Sequence, residues 1–107
     1  MVVTITKDNY KKDVEEATLP VVIDVYATWC GPCQMVKPVF EQVARELADK
    51  CIFGEINVEE SRELAAKFGV TSIPTFIFIH NNEIKGKERG YFSADELKTK
   101  IQAYFGV

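Results

Sequence analysis

The stretch VVIDVYATWCGPCQ, residues 21–34, sets an apolar run against two cysteines two residues apart, with one acid, Asp24, inside the run. Pro20 opens that run. A continuous apolar segment of this length suits a strand covered on both faces, as in a parallel sheet. From Cys33 to about Ala48, Val36, Val39, Phe40, Val43 and Leu47 recur at helical spacing. Pro38 falls within that helix and is expected to kink it. Residues 21–48 are therefore expected to run strand, turn, helix, with the helix opening at about Cys30.

The remaining segments extend the same alternation. VVTIT, residues 2–6, is expected as a short strand. Thr6 is placed to cap a helix with Tyr10 and Val14 on one face. CIFGEINV, residues 51–58, is a third strand, followed by a short helix from about Ser61 to Phe68 with Leu64 and Phe68 inward and Gly69 as its stop. TFIFI, residues 75–79, is a fourth strand. Asn81-Asn82 signals a two-residue hairpin, because asparagine tolerates the positive φ such turns need. EIKGKER, residues 83–89, then returns antiparallel. SADE, residues 93–96, has the form of a capping box, and Leu97, Ile101 and Phe105 give the last helix its apolar stripe. The order βαβαβαββα predicts an α/β fold: a central mixed five-stranded sheet flanked by four helices, in one domain spanning residues 1–107. Ligands of such sheets bind beyond the carboxyl ends of the parallel strands. Cys30 and Cys33 lie at that mouth.

The reactive form of cysteine is the thiolate, and a free thiol titrates above neutral pH. A helix beginning at Cys30 points its unpaired N–H groups and its dipole at that sulfur. Cys33, one turn further in, can serve as the internal partner. Pro32 suits a first helical turn, where its missing N–H costs nothing. Gly31 lets the backbone pass close to the sulfurs. Cys30 would then attack a partner's disulfide, and Cys33 would resolve the mixed disulfide. The same spacing is also a zinc half-site. The other Cys and His residues are Cys51 and His80, which the strand order puts at the far end of the sheet, roughly 20 Å away at ~3.3 Å per strand residue.

The bulk numbers narrow the classes. At 107 residues, 47% hydrophobic and 27% charged, the chain has an ordinary globular composition. A net charge of −3 and scattered lysines and arginines argue against nucleic acid as a partner. No apolar run is long enough to span a membrane or to form a signal peptide. Three cysteines are too few and too odd for a secreted disulfide scaffold, so a reducing cytoplasm is expected. The chain is also expected to be a monomer.

WCGPC at residues 29–33, with SIPT at residues 72–75, resembles the thioredoxin family over essentially the whole chain. Pro38 and Gly90 also match that family's pattern, as does the interval from Asp24 to Cys30. The Cys-x-x-Cys pair beside a βαβ unit is already this family's signature, so it carries no weight independent of the resemblance. The resemblance implies a general protein dithiol–disulfide oxidoreductase without a bound cofactor, re-reduced by an NADPH-dependent thioredoxin reductase and acting on disulfide-containing client proteins. It implies that Asp24 exchanges a proton with Cys33, and that Gly31 and Pro32 contribute to the redox potential. It implies a cis Pro74 that brings the Ile73 backbone beside Cys30, where an extended peptide can pair with it. Trp29, Pro32, Ile73, Pro74 and Gly90 would form an apolar docking patch.

Two alternatives stand beside this. One is a disulfide oxidase or isomerase of the same fold, whose families usually carry histidine between the cysteines, where this chain has Gly-Pro. The other is a binding module that only holds partners in the groove. The chain also departs from the family. Many bacterial members place a lysine opposite the buried aspartate, and here that position is Glu55, which should raise the Asp24 pKa further. Tyr26 stands where a second tryptophan is common. Arg89 and Tyr91 flank Gly90 where smaller or apolar residues are usual. Cys51 is expected as a buried free thiol, and His80 as a surface residue near the hairpin.

Overall fold

A computed structural model describes residues 1–107. Its core is a five-stranded sheet of β1 (Val2–Thr4), β2 (Val21–Tyr26), β3 (Ile52–Asn57), β4 (Thr75–His80) and β5 (Glu83–Arg89). The spatial order is β1-β3-β2-β4-β5. β1 and β2 run parallel to β3, while β4 is antiparallel to both β2 and β5. The helices are α1 (Gly31–Glu46), α2 (Arg62–Lys67) and α3 (Ala94–Phe105), with a π-helical segment at Lys11–Glu15. This is the expected mixed sheet with its four helical elements.

β2 is the centre because both of its faces are apolar. Val21, Ile23 and Val25 pack with Ile5, Val14, Ile56, Leu64 and Phe68 on one side. Val22 packs on the other side with Val36, Phe40 and Val43 of α1 and Leu97 and Ile101 of α3. The alternation of side chains along a strand thus sorts one continuous apolar run into two cores. Phe40 anchors the second core, its ring 5.5 Å from that of Phe53 and 5.7 Å from that of Phe76. Asp24 shares the α1 face with Val22. α1 runs unbroken through Pro38. No helix is long and apolar enough to cross a membrane.

The hairpin forms as the sequence indicates, with Asn81 at φ 53° and Asn82 at φ 60°. The register of β4 and β5 shifts between Phe78 and Ile79, which pair with Gly86 and Ile84. Beyond that bulge, Gly86 leaves room for the Tyr104 ring, which stacks on Phe78 at 4.6 Å and donates its hydroxyl to Glu88. Ser93 and Glu96 complete the capping box of α3.

Two elements differ from expectation. β1 ends at Thr4 rather than Thr6, although the Ile5 N–H still donates to the Glu55 carbonyl. The helix expected from a Thr6 cap does start there, with Thr6 Oγ1 accepting the Asp8 N–H at 3.2 Å and the Thr6 carbonyl accepting the Tyr10 N–H at 3.0 Å, but it is wound as a π-helix over Lys11–Glu15. Asn9 accepts the Thr6 N–H and donates to the Thr4 carbonyl, both at 2.8 Å, and so ties this first turn to the end of β1. The Glu16 N–H then reaches back five residues, to Lys11. Gly90 follows directly on β5, at a φ of +103° that glycine adopts freely. Its N–H turns to the Pro74 carbonyl at 2.9 Å.

Candidate active site

The carboxyl end of β2 delivers Ala27, Thr28 and Trp29 to the start of α1. Gln34 Nε2 donates to the Thr28 carbonyl at 3.0 Å and pins this loop to the helix. Cys30 is the residue that caps α1, with extended backbone at φ −87° and ψ 117°. Its Sγ accepts the Cys33 N–H at 3.3 Å. The sulfur therefore occupies the place an oxygen takes in an ordinary helix cap, at the positive end of a 16-residue helix. In the reduced state those same N–H groups favour a Cys30 thiolate. Gly31 and Pro32 form the exposed first helical positions.

Cys30 and Cys33 are joined as a disulfide with their Cα atoms 5.2 Å apart. Cys30 is 6% exposed and Cys33 2%, so both residues are buried at the mouth. Ala27 packs directly on the pair, with Tyr26, Val58 and Ile73 around it. The Ile73–Pro74 peptide bond is cis, and the Ile73 carbonyl oxygen lies 3.9 Å from Cys30 Sγ. Thr75 Oγ1 donates to the Ser72 carbonyl at 2.6 Å and closes that loop. Trp29, 70% exposed, stands at the mouth. Pro74 itself is buried, which corrects the expected patch. Of the other residues expected there, Trp29 and Pro32 are exposed and Ile73 and Gly90 half-buried.

Asp24 is 3% exposed, and its Oδ1 has no hydrogen-bond partner. Its neighbours across the sheet are Phe76 on β4 and Glu55 on β3. Burial pushes the carboxyl up to about 7; Glu55 adds to the rise, and Lys37 on α1 opposes it. The expectation drawn from Glu55 therefore has the stated direction, with desolvation as the larger cause. Lys37 was not singled out from the sequence. Its signal was available: it lies four residues after Cys33, on the same helix face, and its Nζ also lies 5.9 Å from the centre of the Tyr26 ring.

Cys51 and His80 flank the opposite ends of β3 and β4 from the cysteine pair. Ile52 and Ile79 both pair with Val21, at the start of β2, whereas Cys30 lies beyond its end. A shared zinc site with Cys30 and Cys33 is ruled out by that register. Cys51 is buried and unpaired, and burial raises its thiol to about 11. His80 is half-buried, with its ring edge toward Phe105 at 6.1 Å.

The thioredoxin family's sequence profile matches residues 1–103. The thioredoxin of Rickettsia prowazekii is 37% identical over 97 residues, covering 91% of this chain and 92% of its own length. That of Rickettsia typhi is 38% identical over 90 residues, covering 84% and 86%. That of Pseudomonas aeruginosa is 32% identical over 102 residues, covering 95% and 94%.

Proposed function

The chain belongs to the thioredoxin family and is a protein thiol–disulfide oxidoreductase, and from that premise we propose that Cys30 is its nucleophile, Cys33 its resolving thiol and Asp24 the proton partner of Cys33. The observation that carries this is the single arrangement of Cys30 Sγ at the N-terminus of α1 and beside the Ile73 carbonyl. The Cys30 thiolate attacks one sulfur of a client disulfide. A Cys30–client bond forms, and the other client sulfur leaves as a thiolate. Cys33 then passes its proton to the Asp24 carboxylate and attacks Cys30. The Cys30–Cys33 bond closes, the Cys30–client bond breaks, and the client departs reduced.

A carboxyl held near neutral pH suits that exchange, because it is neither fully ionised nor fully protonated where the reaction runs. The exposed Trp29 and Pro32, with the half-buried Ile73 and Gly90, would receive varied client peptides, the Ile73 backbone serving as a strand edge. The clients are disulfide-containing proteins in general. The proposed electron donor is an NADPH-dependent thioredoxin reductase, and the proposed working state is a monomer in the reducing cytoplasm.

Turnover of a disulfide-bonded protein such as insulin, coupled to NADPH and a thioredoxin reductase, tests the activity. Cys33→Ser should trap a mixed disulfide through Cys30, visible by mass spectrometry, and Cys30→Ser should trap none. Trapping through Cys33 instead would reverse the assignment. Full function in the double Cys30→Ser, Cys33→Ser protein would make the chain a binding module.

A further inference from the structure

Exposure falls off across the sheet in a direction the mechanism above does not use. Thr4, Glu55 and Asp24 pair side by side on β1, β3 and β2. Thr4 is exposed, Glu55 half-buried and Asp24 buried. Neighbouring strands are about 4.8 Å apart, so carboxyl groups on adjacent strands and the same face are within reach of each other directly or through one water. Glu55 also borders a surface cavity of about 230 Å³, with Met1, Val2, Glu41 and Arg45. Towards Asp24, β4 presents only Phe76 at the paired position, and the α1 face carries Cys33 and Lys37. Along β2, Tyr26 follows Asp24 on the same face. Among these, Glu55 alone is both a proton acceptor and open to solvent.

We propose that Glu55 is the proton outlet of Asp24, carrying to solvent the proton that Asp24 takes from Cys33. This rests on the assigned role of Asp24. Cys33 S–H and the Asp24 carboxylate exchange a proton reversibly, and the Cys33 thiolate persists to attack Cys30 only when Asp24 has passed that proton on; the Cys30–Cys33 bond then forms and the client thiolate leaves. Asp24 COOH passes its proton to the Glu55 carboxylate, Glu55 releases it to water, and the client thiolate is protonated from water. No electrons move beyond those of the disulfide exchange. Burial together with Glu55 already holds the Asp24 carboxyl near neutrality.

The test follows resolution of the mixed disulfide by rapid mixing at pH 7, at fixed ionic strength and rising imidazole concentration. Glu55→Gln should slow resolution on the order of tenfold at low buffer, well short of the ~10²–10⁴-fold an acid–base group itself supplies. Imidazole should restore the rate, and Glu55→Asp, which keeps the carboxyl, should restore most of it without imidazole. Asp24→Asn should be slow whatever the buffer. The Asp24 carboxyl carbon, followed by NMR, should titrate at lower pH in Glu55→Gln than in the parent, because the neighbouring carboxylate that raises it is gone. If Glu55→Gln resolves at the parent rate, or is slow without rescue by imidazole, Glu55 is not the outlet, although a slow Asp24→Asn would leave the role of Asp24 intact. If Asp24→Asn also resolves at the parent rate, both roles fall.

Discussion

Asp24→Asn keeps the shape of a buried side chain and removes its charge. In the folded chain, burial and the neighbouring Glu55 hold the Asp24 carboxyl at about 7, against an ordinary 3.8. A carboxyl that ionises less readily when folded works against folding wherever the unfolded chain would ionise it. Below about pH 4 both states are protonated, and the substitution should change little. Between about pH 4 and 7 the folded state keeps a proton that the unfolded state has lost, so stability falls as pH rises, by about 1.4 kcal/mol per pH unit. Above about pH 7 the loss is complete, at about 4 kcal/mol. The asparagine variant escapes it. Guanidinium unfolding of the oxidised protein at pH 4, 6 and 8 reads the difference without interference from thiols. At pH 8 the variant's midpoint should lie higher by roughly 1 M, taking a denaturant slope of about 4 kcal/mol per M for a chain of this size. At pH 4 the two midpoints should nearly coincide. A difference that does not change between pH 4 and 8, or a less stable variant at pH 8, would refute the assignment of the raised carboxyl to Asp24. The same substitution should slow client release, because Cys33 loses its proton acceptor.

Three further outcomes are expected. In the reduced native protein an alkylating reagent should label Cys30 within minutes and spare Cys51, which is 2% exposed with its thiol raised to about 11; rapid labelling of all three thiols, counted by mass, contradicts that burial. Phe40→Ala removes the ring that bridges Phe53 and Phe76 and should lower stability by roughly 3–5 kcal/mol in guanidinium unfolding, with the cysteine pair still able to oxidise. Gly86→Ala puts a methyl group into the Tyr104 ring, which must then leave Phe78 and Glu88; a loss of roughly 1–3 kcal/mol is expected, and an unchanged midpoint would show that Tyr104 gives way freely.

The sequence by itself determined the elements and the identity of the reactive pair. Apolar runs and helical spacing are local signals, and so are a two-residue turn that needs positive φ at Asn81 and Asn82 and a capping box at Ser93. The cysteine pair was legible because its chemistry lies within one turn of chain. The spacing of Tyr10 and Val14 marks the N-terminal helix but not its π-helical winding, in which the Glu16 N–H reaches the Lys11 carbonyl.

Apart from what the family resemblance implies, which distant residues meet is decided only by the tertiary structure. β3 inserts between β1 and β2, so Glu55 stands beside Asp24 with 30 residues of chain between them. The loop of Ile73 and Pro74 reaches Cys30 from 43 residues away. Lys37 faces Asp24 only because α1 folds back over β2. Charge, burial and proton exchange depend on distance in space, and that distance is fixed by strand order and register, which no local pattern in the chain encodes.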